Sequence, residues 1–224
     1  MRPPGPPDGA APHLFVTDLG APEPDEHDRH HLEKALRVRP GDAVTVSDGA
    51  GRWCHCTWRS GVLDVGSEAF EVAAPTPPLG VGFALTKGTK PDLVVQKLTE
   101  IGMSTIVPIV SERVVVRWDE TKVARNLERL RRVAREAAMQ SRRVWLPTVA
   151  ALTRLDAVPD SAVVADRSGM PIERAHTMVL VGPEGGWTDT ERRSRAAVCL
   201  GDHVLRAETA AIVAATRLSA AHGR

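Results

Sequence analysis

Apolar positions recur along this chain with two different periods, and the period changes once. In the N-terminal third the period is two. Val44 and Val46 alternate with polar neighbours, Asp48-Gly49 supplies a hairpin turn, and alternation resumes from Trp53 to Trp58. The preceding run, from Asp25, predicts a short capped helix around His30 to Arg37, closed by a Pro40-Gly41-Asp42 turn. Residues 1–12 are rich in Pro, Gly and Ala and predict a loose tail. The stretch Ala73-Ala74-Pro75-Thr76-Pro77-Pro78 sustains neither a central strand nor a helix interior, because proline lacks a backbone donor. It is the expected linker, about 74–78, between a small β-rich domain over 1–73 and a second domain over 79–224.

Beyond the linker, strands and helices alternate. Leu79 to Thr86 predicts an apolar strand. Pro91 opens a helix with Val94, Leu98 and Ile101 at helical spacing, Gly102 closes it, and Thr105 to Val110 is the next strand. A long helix is predicted from about Glu120 to Gln140, with Val123, Leu127, Leu130 and Ala134 on one face. Strands at Ala162 to Ala165 and Met178 to Val181 follow. A helix from about Asp189 to Val198, a short strand at His203 to Leu205 and a terminal helix from about Glu208 complete the pattern. Such alternation predicts an α/β domain whose parallel sheet is covered on both faces, with its ligand site beyond the strand C-termini.

Composition narrows the class. The 224 residues carry 29 Lys+Arg against 28 Asp+Glu, which argues against a globally basic nucleic-acid binder but leaves local patches open. No apolar run approaches the ~20 residues that cross a bilayer, and the N-terminus lacks the charged-then-apolar order of a signal peptide. The 3 cysteines cannot all pair within the chain. Together these features predict a soluble cytoplasmic protein. Cys54-His55-Cys56 and the His27, His30, His31 group look metal-like, yet neither is joined by the second ligand pair that a structural zinc needs, so no metal is expected.

Two segments carry candidate chemistry. In Met178-Val-Leu-Val-Gly-Pro-Glu-Gly-Gly-Trp187 an apolar strand runs into Gly182-Pro183-Glu184-Gly185-Gly186, where adjacent glycines let a backbone approach a ligand closely. The lysine and hydroxyl of a phosphate loop are missing, which disfavours nucleoside triphosphates. In Leu200-Gly-Asp-His-Val-Leu-Arg-Ala-Glu-Thr-Ala-Ala211 a cation, Arg206, a carboxylate, Glu208, and a hydroxyl, Thr209, gather at a strand end. Taken alone, each segment could be an ordinary strand-to-helix turn with a favourable first-turn acid. Two of them in one sheet favour a shared pocket.

The pair GPEGGWTDTE and LGDHVLRAETAA resembles the signatures of the ribosomal small-subunit RNA methyltransferase E family, a branch of the SPOUT methyltransferases. HHLEKALRVRPGDAVTVSDGAG is similar to that family's N-terminal RNA-binding segment, KGTKPDLVVQKLTEIGMSTIVPIVSERVVV to its first βαβ unit, and AAMQSRRVWLPTV to its central helix-to-strand passage. The resemblance implies a small N-terminal PUA-like β-barrel followed by a SPOUT α/β domain with a deep trefoil knot. It further implies S-adenosylmethionine bound in the knot, a homodimer, and methylation of N3 of one uridine of 16S rRNA within the small ribosomal subunit, with no DNA or membrane partner. By resemblance, Leu180, Gly182, Pro183, Glu184, Gly185, Gly186, Leu200, Gly201, Val204, Leu205, Arg206 and Ala210 should form the cofactor pocket. Where the family usually has an acid, this chain has Met139, before Gln140 and Ser141.

For such a reaction the candidates are Arg206, stabilising charge or positioning the base, and Glu208, accepting the proton or orienting Arg206. Between Ser111 and Trp145, ten basic residues, Arg117 among them, face five acidic ones. Most are read as a solvated helix face with acid partners. Arg113, Arg143, Lys87 and Arg37 are the candidate RNA contacts, since they sit inside the family-like motifs. Two rivals remain: a SPOUT enzyme with another RNA target, and a non-catalytic ribosome-assembly factor on the same fold.

Overall fold

Val44 and Val46 pair with Cys56 and Cys54 across the hairpin, so the alternating residues of both strands enter one core. The computed structural model describes residues 11–114 and 118–224, so positions 1–10 of the expected tail lie outside the described residues. The chain divides into two compact units, Met1–Ala74 with Arg135–Leu146, and Pro75–Ala134 with Pro147–Arg224. The first unit therefore includes a segment that chain order assigns to the second domain.

In the first unit the order is β1 (His13–Phe15), α1 (Glu26–His30), a π-helical turn (His31–Ala35), β2 (Ala43–Ser47), β3 (Arg52–Arg59), β4 (Val62–Val65) and β5 (Phe70–Glu71). These form a five-stranded mixed sheet, β1-β2-β3-β4 with β5 on β3, in which β1 runs parallel to β2 and the other pairs are antiparallel. The helix starts earlier than periodicity alone suggests, because Asp25 caps it by accepting from the Asp28 amide at 2.7 Å. Tail residue Pro12 is not loose: its carbonyl accepts from the Thr45 amide at 2.9 Å, and β1 follows directly. Cys54 and Cys56 are core side chains with sulfurs 4.0 Å apart, and burial pushes the Cys56 thiol up to about 12. His13 is buried between Thr45 Oγ1 and the Arg143 carbonyl, at 2.9 and 3.1 Å, and burial holds its pKa down at about 4, so the imidazole is neutral.

Backbone and side-chain bonds draw residues 135–146 into this unit. The Val144 carbonyl accepts from the Gly51 amide and from Ser47 Oγ, and the Trp145 indole donates to the Val72 carbonyl at 2.9 Å. Arg135 donates to both oxygens of the buried Asp28, at 3.0 and 2.5 Å, and to the Phe15 carbonyl at 2.9 Å. Its guanidinium pKa is raised chiefly by the hydrogen bond to Asp28.

The second unit contains β6 (Gly80–Ala84), α2 (Lys90–Ile101), β7 (Thr105–Val110), the first part of α3 (Glu120–Gln140), β8 (Thr148–Val149), β9 (Thr153–Arg154), β10 (Val163–Met170), β11 (Met178–Val181), α4 (Asp189–Arg193), β12 (Ala197–Val198) and α5 (Ala207–Ala221). The seven-stranded sheet runs β12-β10-β11-β6-β7-β8, with β9 also on β7, and every pair is parallel. One face packs Val81, Phe83, Val179 and Val181 against Val94, Leu98, Leu130, Ala211 and Leu218; the other buries Val107, Ile109, Val164 and Leu180 with Trp187. Gly102, at φ 99°, ends α2 in the left-handed conformation that glycine adopts without strain.

Two expected elements near the C-terminus differ. The helix from Asp189 stops at Arg193 instead of reaching Val198, because Arg195 is drawn inward to the carbonyls of Leu155, Val158 and Pro159 and the chain then enters β12. The strand expected at His203 to Leu205 is absent: those residues form an irregular loop, and Val204 is 79% exposed. An apolar run need not pair when it lines a cavity.

Asp28 is 1% exposed, so removing its charge leaves the Arg135 guanidinium without its main partner. Asp28→Asn should cost about 3 kcal/mol of stability, measured by urea unfolding. A loss below about 1 kcal/mol would show that the pair does not hold the 135–146 segment in place.

Candidate active site

At the C-terminal end of β11 and beside the middle of β10, three chain segments enclose a cavity of about 230 Å³: Ala165 to Arg167, Val181 to Trp187, and Leu200 to Leu205, with Ala207 and Ala210 of α5. Of the residues expected around a cofactor, Gly182, Pro183, Glu184, Gly186, Leu200, Gly201, Val204, Leu205 and Ala210 line it. Leu180 does not: it is fully buried beneath, in the core on the Trp187 side of the sheet. Gly185 and Arg206 are outside the lining too. Asp166, Arg167, Val181, Trp187, His203 and Ala207 also line it without having been expected at the cofactor; all but Asp166 and Arg167, which lie within β10, fall inside the two segments singled out from the sequence.

Local chemistry fixes the loop after β11. Trp187 is buried and its indole donates to the Ala165 carbonyl at 3.2 Å, joining the loop after β11 to β10. A Cβ at Gly182 would come within 2.9 Å of the Trp187 ring, so only glycine fits there; Gly186, at φ 69°, turns the chain. From outside, Arg113 Nη1 donates to the carbonyls of Gly185 and Trp187, at 3.0 and 3.2 Å. Downstream, Thr188 and Glu191 form a reciprocal capping box at the start of α4, and Glu191 Oε1 also accepts from the Glu112 amide at 2.9 Å.

Arg206 and Glu208 begin α5, but they do not pair with each other. Arg206 is exposed at the N-cap position, and no partner for its side chain occurs among the described residues. Glu208 lies instead 3.4 Å from Lys90 Nζ, with its Oε2 shielded from solvent and making no hydrogen bond among the described residues. The same Lys90 Nζ donates to Glu184 Oε1 at 3.2 Å. Lys90, at the start of α2, thus meets a carboxylate from each of two cavity loops or their neighbours.

The candidate RNA residues fall into different settings. Arg37, at φ 54° after the π turn, and Lys87, after β6, are exposed. Arg113 is engaged with the loop as described. Arg143 is half-buried, and desolvation lowers its pKa to about 10. Arg142, at φ 54°, takes the left-handed position that closes α3: the Arg143 amide bonds the Ala138 carbonyl at 2.9 Å and the Arg142 amide bonds that of Met139 at 3.2 Å. Arg117 lies outside the described residues.

Residues 74–219 match the model of an RNA methyltransferase domain, and residues 24–57 that of an RNA methyltransferase PUA domain. The ribosomal RNA small subunit methyltransferase E of Synechocystis is 31% identical over 85% of this chain and 70% of its own, and that of Mycobacterium bovis 32% over 82% and 80%. The structure of a Neisseria gonorrhoeae ribosomal RNA small subunit methyltransferase E bound to S-adenosyl methionine superposes with a TM-score of 0.74 at 26% identity, covering 92% of this chain and 96% of that one. The chain belongs to the ribosomal RNA small subunit methyltransferase E family. As a member it is an RNA methyltransferase, with an α/β RNA methyltransferase domain and an RNA methyltransferase PUA domain. Both segments singled out from the sequence, 178–187 and 200–211, lie inside the matched methyltransferase model.

The contact at Gly182 gives a sharp test within that family signature. Gly182→Ala should cost about 1–3 kcal/mol through overpacking and change the emission of Trp187. At Gly185 a Cβ would stand an ordinary 3.6 Å from Arg113, so Gly185→Ala should leave the melting temperature nearly unchanged. Equal melting temperatures for both variants would remove the steric argument.

Proposed function

We propose that this chain transfers a methyl group from S-adenosylmethionine to N3 of one uridine of 16S rRNA in the small ribosomal subunit. The observation that carries the reading is the cavity walled by both segments together with part of β10, with Arg206 and Glu208 flanking the lining residue Ala207 at the start of α5. Its lining fits the cofactor: the backbone of Gly182, Gly186 and Gly201 offers close approach, and Val181, Leu200, Leu205 and Ala210 offer apolar contact for adenine. Bound there, the cofactor supplies an electrophilic methyl on a sulfonium.

The residues of the chain have two tasks. N3 of uracil becomes nucleophilic only when its proton leaves, so the base must be oriented and its anion stabilised. Arg206, exposed and without a partner among the described residues, is free to approach O2 or O4. Glu208 is the candidate proton acceptor: its carboxylate, ion-paired with Lys90 through Oε2 at 3.4 Å, would take the N3 proton through its other oxygen, directly or through a water. It does not orient Arg206.

We further infer a PUA-like barrel from the first unit and a deep trefoil knot in the second. What supports the knot is the path of the chain: it leaves the sheet at the β12 edge and returns as α5 to pack on α2, β6 and β11. A homodimer, a cytoplasmic location and domains over 1–73 and 79–224 joined at about 74–78 belong to the same reading, with residues 135–146 added to the first unit. Arg37 and Lys87 are the better RNA candidates, being exposed, whereas Arg113, though exposed, is held by the carbonyls of Gly185 and Trp187, and Arg143 is half-buried.

Small subunits lacking the modification, incubated with the protein and labelled cofactor, should yield 3-methyluridine on nucleoside mass spectrometry. Another methylated nucleoside would replace the target; no transfer despite cofactor binding would favour an assembly factor. Arg206→Ala should keep cofactor affinity and lower kcat about 100-fold. Undiminished turnover would strike Arg206 from the chemistry. Arg37→Ala and Lys87→Ala should each reduce the salt slope of RNA binding by about one, read from affinities across ionic strength, while slopes equal to wild type would move the interface elsewhere.

A further inference from the structure

Glu184 is in the loop after β11, Glu208 in the first turn of α5, and Lys90 in the first turn of α2, and the sheet brings all three to its C-terminal edge. Lys90 Nζ lies 3.2 Å from Glu184 Oε1 and 3.4 Å from Glu208 Oε2. Two carboxylates from separate segments converge on one ammonium, and each would repel the other without it. Pro91 follows directly, fixing the backbone from which Lys90 reaches, and Pro183 stiffens the loop that carries Glu184. The contact differs in character at its two ends: Glu208 is 14% exposed at its side chain and Glu184 55%, so the Glu208 end is the anchored one.

We propose that Lys90 is a positioning residue of the cofactor site, holding the Glu184 loop against α5 so that the cavity is shaped before the cofactor enters. This rests on the cofactor reading above. Neither acid need touch the cofactor for Lys90 to act; what Lys90 sets is the separation of the two walls that carry them. Preorganisation of this kind reduces the ordering that binding must otherwise impose, and so strengthens affinity without adding a contact to the ligand. The hydrogen bond to Lys90 also contributes, after that of its own backbone amide, to holding the Glu184 carboxyl below its ordinary range, and the Glu184 bond is the chief cause of the raised Lys90 pKa. Lys90 and Glu184 are therefore both charged at neutral pH.

Titration of S-adenosylmethionine into the wild-type protein, Lys90→Met, Lys90→Arg, Glu184→Gln and the Lys90→Met/Glu184→Gln double variant, followed by calorimetry, tests this. The wild type should bind. Lys90→Met should bind about five- to tenfold more weakly, Lys90→Arg within about twofold of wild type, and the double variant no more weakly than Lys90→Met. Because Lys90 and Glu184 are both partly exposed, melting temperatures should stay within about 3 °C of wild type. Wild-type affinity in Lys90→Met overturns the proposal, as does an unrescued loss in Lys90→Arg or a double variant whose losses multiply. A wild-type protein that binds no S-adenosylmethionine overturns the cofactor reading itself, and the proposal with it.

Discussion

Trp187 lies against Gly182 so closely that no side chain fits between them, and its indole N–H reaches the Ala165 carbonyl at 3.2 Å. That wedge ties the end of β11 to β10, and the turn at Gly186 can then send the chain to the capping box at Thr188. The cavity depends on it, since Ala165, Gly182 and Trp187 are all part of its wall. A loop rich in glycine is ordinarily mobile; here the ring on one side and Arg113 on the other hold its carbonyls in place.

The arginines of this chain serve as internal fasteners more than their number suggests. Arg195, with a side chain only 3% exposed, donates to carbonyls between Leu155 and Ala162 and shapes the segment leading into β10. Arg135 spans Asp28 and the Phe15 carbonyl, and Arg113 spans two carbonyls of the glycine loop. The planar fork of the guanidinium suits such multiple bonding, which an ammonium would not reproduce. The local basic excess between Ser111 and Trp145 therefore overstates the charge available to RNA. Met139 is part of the same framework: its thioether sits 3.4 Å from Arg135 Nη1 and packs on the first unit's core.

The sequence by itself determined most of the regular structure and the location of the chemistry. Hydrophobic period marked β2, β3, β7, β11 and α3, since each buries one face or two along its whole length. The two glycine- and arginine-bearing segments were legible as strand ends because their apolar runs stop abruptly at residues with special backbone needs. Tertiary structure decided what those residues do to one another. That Glu208 meets Lys90 and leaves Arg206 free, that Leu180 lies under the cavity floor, and that His203 to Leu205 line a wall without pairing all depend on contacts between segments distant in sequence. The passage of residues 135–146 into the first unit is of the same kind, because the helix that carries it has one unbroken period while its two ends find different cores. Periodicity reports which face of an element is buried; it holds no information on which partner buries it.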